Sequence, residues 1–341
     1  MNTESITVAC VADDAYAMPL AVTLTSMLSH LDDRRMLNIY VVDAGIGAEN
    51  KRRILRSLDP ARASVTWLPH AGARLAGLPV WGRMSIHTYQ RILAADLLPA
   101  TETKAIWLDS DLVVRTDLTK LWQLELADWT LLAAQDMLAP VVSSPLGLHE
   151  YRALGFQGHE KYLNAGIMVL DLDRWRKDKI AEKVIAYLRQ HCGDVVLWDQ
   201  DGLNAVLRDQ WGELDLRWNQ NAGVCGRPFF NAGHLDPAAY RNVLEDPWIV
   251  HFSGNLKPWL YPVKSPAHAL YFEYLDKTAW AGWRPRRTLT SALLEKYESS
   301  AWRNVAYPAE AWVMKFWRAF TMASAPTRAP EPPQTLRTIR R

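Results

Sequence analysis

The sequence has few of the features that mark secreted or membrane-spanning proteins. Its three cysteines, Cys10, Cys192 and Cys225, are odd in number and widely scattered among 341 residues, which argues against a disulfide framework and fits a reducing compartment. None lies at a zinc-site spacing from another cysteine or a histidine, so we expect small buried thiols. No stretch approaches the roughly 18 consecutive apolar residues of a membrane-spanning helix. The chain before Ile6 is too short and too weakly basic for a signal peptide, and we expect a cytoplasmic protein.

Net charge is also nearly absent, at +2 for the whole chain, but it is unevenly distributed. From Trp280 onward the chain holds 11 Lys and Arg against 4 Asp and Glu, whereas residues 1–279 hold 28 against 33. Several of the 16 tryptophans also lie in this C-terminal part. A basic, tryptophan-rich end on an acidic body needs its own explanation. We expect no nucleic-acid partner.

What the sequence does contain is a regular alternation of apolar strand and helix patterns. Predicted strands and predicted helices alternate through the first half, at Ile6–Val11, Pro19–Leu31, Leu37–Val42, Lys51–Leu58, Ser64–Leu68, Ser85–Leu98, Lys104–Leu108 and Thr130–Ala134. The order predicts an α/β fold with a largely parallel sheet and helices on both faces. Ligands of such sheets bind beyond the carboxyl ends of the strands. The second half is less regular, with short helices predicted near Arg174 and over Gly202–Leu207.

Asp109-Ser110-Asp111 directly follows the predicted strand that ends at Leu108. In an extended chain, residues i and i+2 point to the same side, so both carboxylates can reach one ion. Such an oxygen-rich pair suits a hard divalent cation that also holds a phosphate. Asp13-Asp14 also lies just past a predicted strand and is expected to share the crevice.

His251 follows another predicted strand, with Gly254 and Lys257 three and six residues later. An imidazole can complete a cation site, glycine allows a phosphate to approach the backbone, and lysine neutralises its charge. The alternative is a core histidine and a surface lysine.

Three further polar segments each have a local structural explanation and a functional one. Asp199-Gln200-Asp201 can cap a helix or face a sugar and its developing cationic centre. Asn164-Ala165-Gly166 can form a turn or supply amide contacts to a ligand. Asp13-Asp14 can cap a helix or accept a hydrogen bond from a nucleobase.

Taken in order, these motifs resemble those of glycosyltransferase family eight, the retaining enzymes that include lipopolysaccharide galactosyltransferases and glycogenin. The resemblance covers roughly residues 5–260, and six segments carry it. They are Ala12-Asp13-Asp14-Ala15-Tyr16, Ser85-Ile86-His87-Thr88-Tyr89-Gln90-Arg91, Leu108-Asp109-Ser110-Asp111, Asn164-Ala165-Gly166, Asp199-Gln200-Asp201 and His251-x-x-Gly254-x-x-Lys257-Pro258-Trp259.

The resemblance implies a nucleotide-sugar-binding, Rossmann-like fold of the glycosyltransferase A architecture. It also implies a uridine diphosphate (UDP) hexose donor and Mn²⁺, with Mg²⁺ as the alternative. By position, Asp109, Asp111 and His251 are similar to the metal ligands, and Gln200 and Asp199 to the catalytic residues. The implied donor site comprises Ala12, Asp13, Tyr16, Arg91, Asp109, Ser110, Asp111, Asn164, Ala165, Asp199, Gln200, His251, Gly254 and Lys257. Two positions depart from the family pattern: Ala15 stands where Asn is frequent near the ribose, and Leu93 where Lys is frequent.

The implied activity is retaining transfer of galactose or glucose from a UDP-sugar to a saccharide or lipid-linked acceptor, in lipopolysaccharide or surface-glycan synthesis. A phosphatase of the haloacid-dehalogenase type also uses Asp-x-Asp after a strand, but the chain offers no convincing downstream acidic pair. A non-catalytic UDP-sugar-binding protein is the third hypothesis.

We expect a catalytic domain over residues 1–262, a helical, aromatic and basic extension over 263–322, and a disordered basic tail over 323–341. In the extension an apolar helical face is flanked by Lys315 and Arg318; it comprises Trp312, Val313, Phe316, Trp317 and Phe320. This face either docks on the catalytic domain or lies on an anionic membrane surface. The second alternative places the protein peripherally at the inner face of the cytoplasmic membrane.

Overall fold

A computed structural model describes residues 5–80, 84–224, 232–254, 257–262, 264–289 and 291–293. The strands are β1 (Ser5–Ala12), β2 (Met36–Asp43), β3 (Ala63–Pro69), β4 (Lys104–Leu108), β5 (Leu112–Val114), β6 (Leu131–Gln135), β7 (Leu163–Asp171), β8 (Trp211–Leu214), β9 (Gln220–Asn221) and β10 (Ile249–His251). The α-helices are α1 (Ala17–His30), α2 (Ala48–Arg56), α3 (Gly72–Leu75), α4 (Ala94–Leu97), α5 (Thr119–Trp122), α6 (Leu172–Lys177), α7 (Ile180–Gln190), α8 (Trp198–Val206), α9 (Pro237–Glu245) and α10 (Pro266–Leu275). Short 3₁₀ helices occupy Asp14–Tyr16, Ile86–Leu93, Leu216–Asn219, Ala222–Val224 and Ala232–His234.

The central sheet has seven strands in the order β3-β2-β1-β4-β7-β6-β8. All neighbours pair in parallel except at β7, which runs antiparallel to both β4 and β6. The predicted α/β fold with a largely parallel sheet is therefore confirmed. Because β7 is reversed, its first residues lie at the same edge as the last residues of β4 and β6.

Apolar side chains on the two faces of this sheet form two separate cores. In β1, Val8 packs with Leu20 and Leu24 of α1 on one face, whereas Ala9 packs on the other face with the core that includes Leu188 of α7. Successive strand residues point to opposite faces, and a strand covered on both sides is apolar throughout. This explains the continuous apolar run that marked β1 in the sequence.

A second, three-stranded sheet with the order β5-β10-β9 lies next to the first. Its Val113 and Val250 share an apolar cluster with Val22 of α1 and with Tyr271 and Leu275 of α10. Helix α10, the first helix of the predicted extension, thus packs on this sheet and on α1. The predicted apolar face around Trp312 lies outside the described residues, as does the predicted tail over 323–341. No helix in the described ranges combines the length and the apolar character needed to cross a bilayer.

Several local predictions are wrong in detail. Ser85–Leu98 was expected to be α-helical, but the chain forms a 3₁₀ helix over Ile86–Leu93 before α4. Apolar residues spaced by three fit a 3₁₀ helix as well as an α-helix. Asn164-Ala165-Gly166 is no turn, because it lies inside β7. The two short strands of the smaller sheet that flank His251, β5 and β9, were not predicted. Cys10 is fully buried as expected, whereas Cys192 is half-buried and Cys225 lies outside the described residues.

Candidate functional site

Asp109-Ser110-Asp111 connects the two sheets, because β4 of the large sheet ends at Leu108 and β5 of the small sheet begins at Leu112. The two acids therefore lie in a connection between strands and not within a strand. The Ser110 hydroxyl donates to the Val11 carbonyl of β1, and the Phe252 backbone N–H donates to the Asp111 carbonyl at 2.9 Å. These bonds hold the tripeptide at the carboxyl edge of the large sheet.

His251, the last residue of β10, brings its imidazole to the two carboxylates. Its Nε2 lies 3.4 Å from Asp111 Oδ1 and 3.7 Å from Asp109 Oδ2. One ligand atom from each of the three residues lies within 4.8 Å of the others. His251 Nδ1 lies 3.0 Å from Asn219 Oδ1. Because that oxygen can only accept, Nδ1 donates to it, and Nε2 is the ring nitrogen that faces the two acids.

This donor set fits a divalent cation. Two carboxylates and one imidazole nitrogen combine the hard oxygen ligands with the borderline nitrogen ligand that such ions accept. A metal-ligating histidine commonly has its second nitrogen held by a polar group, as Asn219 holds His251 here. The sequence-predicted set of Asp109, Asp111 and His251 is therefore brought together with the required chemistry.

Gly166 of β7 makes room for the imidazole. A Cβ atom at this position would lie 2.4 Å from His251 Cε1 and 2.9 Å from Nδ1, which is closer than van der Waals contact allows. The Gly166 carbonyl also accepts from the Asp109 N–H at 2.8 Å. Glycine at this position thus lets the ring of the small sheet lie directly against the backbone of the large sheet.

Each of the two acids has its own cationic partner, and the side chains of Arg91 and Lys257 are 8% and 12% exposed. Arg91 Nη2 donates to Asp109 Oδ1 at 2.7 Å, and Lys257 Nζ donates to Asp111 Oδ2 and, at 2.6 Å, to the Phe252 carbonyl. Burial raises the pKa of Asp109 against the lowering effect of Arg91. At Asp111 the lowering by Lys257 and His251 exceeds the effect of burial, so its pKa falls below the usual range. Lys257 is thus no surface lysine and His251 no isolated core histidine.

Arg91 also links this pair to Asp199 on α8. Its Nε lies 3.0 Å from Asp199 Oδ2, and its Nη1 donates to the Ala165 carbonyl at 2.5 Å. The Thr88 hydroxyl donates to Asp199 Oδ1 at 3.0 Å. Burial raises the pKa of Asp199 to about 6 despite the opposing charge of Arg91. Helix α8 begins at Trp198, so Asp199 and Asp201 lie in its first turn rather than at the cap position.

A network of amides surrounds Asp136, which follows β6 at the same edge and was not identified from the sequence. Asp136 Oδ2 accepts from Asn164 Nδ2 at 2.7 Å and from Gln200 Nε2 at 3.0 Å. Gln200 Oε1 accepts from the Ala165 N–H at 3.1 Å, while Asn164 Oδ1 accepts from Asn219 Nδ2 at 2.8 Å. The network therefore runs from Gln200 to Asn219, the residue that orients His251. Asp136 directly follows a strand at the carboxyl edge, and this position could have identified it from the sequence. Nothing in the sequence pattern marked Asn219.

The predicted nucleobase end of the crevice lies beside the acids. Asp13 accepts from the Tyr16 N–H at 3.0 Å and so caps the 3₁₀ helix, although it remains half-buried. Ala12 is the buried last residue of β1. Burial raises the pKa of the Tyr16 phenol, with opposing effects from Lys257 and from Asp111. Gly254 has a φ of +88°, the left-handed conformation that favours glycine, and its open side faces no atom within 4 Å among the described residues.

The chain resembles a known sequence family over most of its length. A family model described as glycosyl transferase family 8 matches residues 7–262. General stress protein A of Bacillus subtilis is 34% identical over 273 residues, which are 79% of this chain and 92% of that protein. Lipopolysaccharide 1,2-glucosyltransferase of Escherichia coli is 24% identical over 293 residues, with 84% of this chain and 82% of that protein covered.

Solved structures show the same fold. The galactosyltransferase LgtC, solved in complex with donor and acceptor sugar analogues, is 24% identical with a TM-score of 0.68, covering 80% of this chain and 96% of that one. The bifunctional glycosyltransferase WbbM is 23% identical with a TM-score of 0.69, covering 82% of this chain and 51% of that one.

Proposed function

The chain belongs to glycosyl transferase family 8, and from that premise we propose that it is a retaining hexosyltransferase that moves galactose or glucose from a UDP-sugar to a saccharide or lipid-linked acceptor. The observation that carries the proposal is the convergence of Asp109, Asp111 and His251 at the carboxyl edge of the sheet. A family match over residues 7–262 does not favour a phosphatase. A complete ligand set argues against a non-catalytic binding protein.

In this proposal Asp109, Asp111 and His251 hold Mn²⁺, with Mg²⁺ as the alternative. When bound, such a cation supplies positive charge that stabilises a leaving diphosphate. Lys257, beside Asp111, adds an ammonium on the same side of the site. The positive φ of Gly254 turns the backbone so that a phosphate can approach it without meeting a side chain.

The other donor contacts in this proposal are those that the family resemblance implies. Asp13 and Ala12 form the uracil end, with Tyr16 beside them. Asn164, Ala165 and the α8 residues surround the sugar. Arg91 takes a supporting role, because its guanidinium already binds Asp109 and Asp199. It therefore orients two acids of the site more than it contacts a phosphate.

Retention of configuration requires either a covalent glycosyl–enzyme intermediate or attack on the face from which UDP leaves. A double displacement would use Asp199 as the nucleophile, but its two oxygens are engaged by Thr88 and Arg91 in a buried position. Gln200 is held at both ends of its amide, which suits positioning of the sugar. We therefore favour same-face attack, in which the acceptor oxygen forms the new bond to the anomeric carbon. The bond to UDP breaks, and a UDP oxygen takes the acceptor proton.

The acceptor side of the proposal rests on the C-terminal sequence and on the relatives. We retain the catalytic domain over residues 1–262 and an extension over 263–322 that meets the acceptor or an anionic membrane surface at the inner face of the cytoplasmic membrane. The E. coli relative is named as a lipopolysaccharide glucosyltransferase, which supports a surface-glycan precursor as the acceptor.

The test is a donor panel with purified full-length protein, scored by UDP release with and without Mn²⁺. We expect release from UDP-galactose or UDP-glucose that chelation with EDTA stops and added Mn²⁺ restores. Release of phosphate from a generic aryl phosphate, with no response to any nucleotide sugar, would reverse the assignment. UDP-sugar binding without turnover for every donor and simple sugar acceptor would favour the binding-protein hypothesis.

A further inference from the structure

A second cluster of metal-ligating side chains lies outside the family's site. We propose that Glu150, His191 and Asp194 bind a transition-metal cation of the zinc class. One ligand atom from each of the three lies within 4.8 Å of the others. The residues come from two segments, one between β6 and β7 and one between α7 and α8. We call this group the outer cluster.

The distances in the outer cluster suit a small cation. His191 Nδ1 lies 2.8 Å from Glu150 Oε2. Ligands of a tetrahedral zinc ion, each about 2.0–2.1 Å from the metal, lie roughly 3.3 Å from one another. The ligand atoms of the outer cluster, which are 2.8 to 4.8 Å apart, are therefore within about 1.5 Å of that spacing. All three side chains are half-buried, so an ion can enter and a water molecule can complete the coordination.

The charge of the outer cluster also points to a cation. In the described part of the chain, neither Glu150 nor Asp194 has a lysine or arginine nitrogen within 4.0 Å; their partners are His191 and His149. With neutral imidazoles the two carboxylates leave two negative charges in one place, which a divalent cation matches. His149 Nδ1 lies 3.1 Å from Asp194 Oδ1, so this histidine can steady the carboxylate as metal-site neighbours commonly do.

The backbone that carries the outer cluster is well supported. The imidazole of His191 stacks on Tyr187 of α7, with ring centroids 4.4 Å apart. Asp194 lies in the turn that follows, where its N–H donates to the His191 carbonyl at 2.8 Å. Buried Asp201 closes the turn by accepting from the Val196 N–H at 2.5 Å. Ligands on elements fixed in this way are pre-arranged for binding.

Both segments also lead into the family site. The segment that holds Glu150 starts after Asp136 and ends before Asn164, and the turn that holds Asp194 runs into α8 with Asp199 and Gln200. A cation in the outer cluster would therefore join the two segments from which the amide network arises. The role we assign to it is structural, and it does not depend on which sugar the enzyme transfers.

The alternative is that two histidine–carboxylate hydrogen bonds join these segments without a metal. Titration of EDTA-treated, full-length protein with Zn²⁺, followed by calorimetry and metal analysis after dialysis, separates the two. We expect up to two Zn²⁺ ions per chain, one at each cluster. Asp194→Asn and Glu150→Gln should each weaken one of the two binding steps about tenfold or more. Asp111→Asn should weaken the other step.

His159→Ala is the matched control, because His159 is an exposed histidine of the same segment and belongs to neither cluster. It should leave both binding steps unchanged. Near-isosteric Asp194→Asn and Glu150→Gln should unfold at temperatures close to wild type in EDTA. Zn²⁺ should raise their unfolding midpoint less than it raises that of the wild type, because only the inner cluster still binds the ion. Zn²⁺ binding that neither variant alters, or that disappears entirely in Asp111→Asn, would overturn the proposal.

Discussion

The described part of the chain holds two histidine–carboxylate clusters of similar composition in different surroundings. In the inner cluster of Asp109, Asp111 and His251, the side chains of the two acids are 19% and 9% exposed, and each acid has its own cation. In the outer cluster, all three side chains are half-buried and the acids pair with histidines. The inner cluster belongs to the carboxyl edge of the large sheet, whereas the outer one joins a loop to the end of a helix.

The difference shows what burial demands of a metal site. A buried carboxylate that lacks a counter-charge costs several kcal/mol of stability, so Arg91 and Lys257 are needed before any ion binds. The half-buried acids of the outer cluster keep part of their hydration and need no such partners. An ion at the inner cluster therefore binds where Arg91 and Lys257 already balance the charge of the two carboxylates. An ion at the outer cluster would itself balance the charge of Glu150 and Asp194.

The largest effect is expected from removal of one acid of the inner cluster. Asp111→Asn takes away one cation ligand and leaves Lys257, whose side chain is 12% exposed, with the Phe252 carbonyl as its partner. We expect a loss of about 10²–10³-fold in kcat for sugar transfer and a loss of unfolding free energy of about 3 kcal/mol. UDP release with Mn²⁺ titrated to saturation, together with urea unfolding, measures the two effects.

Glu213→Gln is the control, because Glu213 forms an exposed ion pair with Lys161. Such pairs contribute about 1 kcal/mol or less, and this one lies away from the inner cluster. Near wild-type turnover in Asp111→Asn at saturating Mn²⁺ would contradict the metal assignment.

An intermediate effect is expected from Asn219→Ala, which leaves every ligand of the inner cluster in place. Without Asn219 the His251 ring loses the acceptor that fixes its proton on Nδ1. We expect Mn²⁺ affinity, measured by calorimetry, to fall about 10–100-fold. Zn²⁺ binding at the outer cluster should be unchanged, since His191 is fixed by stacking on Tyr187. Asn50→Ala serves as the control, because Asn50 is a half-buried asparagine that donates to Asp14 and not to a ligand of the inner cluster. Equal Mn²⁺ affinity in both variants would show that Asn219 does not orient the ring.

The smallest expected effect concerns the pH dependence of stability. Burial raises the pKa of Asp199 from 3.8 to about 6, so between about pH 4 and 6 the folded chain holds a proton that the unfolded chain releases. This group therefore makes the unfolding free energy fall as pH rises through that window, by up to about 1.4 kcal/mol per pH unit.

Asp199→Asn should remove this part of the slope, which urea unfolding at a series of pH values measures. Asp96→Asn, at an exposed ion pair with Arg74, controls for the loss of one carboxylate. A slope in Asp199→Asn identical to wild type would mean that Asp199 is ionised throughout the window.

Much of the fold was predictable because apolar periodicity marks a strand or a helix regardless of its neighbours. The bounds of β1, β2 and β4 differ by at most one residue at either end from those predicted. The direction of β7 was not predictable, since the apolar run Ile167–Leu170 has the same pattern in either orientation. The 3₁₀ helix over Ile86–Leu93 was missed because its period is close to that of an α-helix.

The site was predictable where a motif carried it. Asp109, Asp111 and His251, far apart in the chain, come together as expected. The sequence did not indicate which charges pair: the ion pairs of Arg91 with Asp109 and Asp199 were not predicted. Asn219 is the last residue of a four-residue 3₁₀ helix and directly precedes the two-residue strand β9, and elements this short give no periodic signal. Pairing of this kind depends on distances that only the folded chain defines.

Gly166 has one more consequence, for the way the two sheets fit together. The His251 ring fills the volume that a side chain at position 166 would occupy. The imidazole of His251, on the small sheet, occupies a space in the large sheet that is open because Gly166 has no Cβ atom. The contact between His251 and Gly166 therefore both joins the two sheets and positions one of the metal ligands. A slip of one sheet against the other would misalign the ligands at once, and a cation held there would lock the joint.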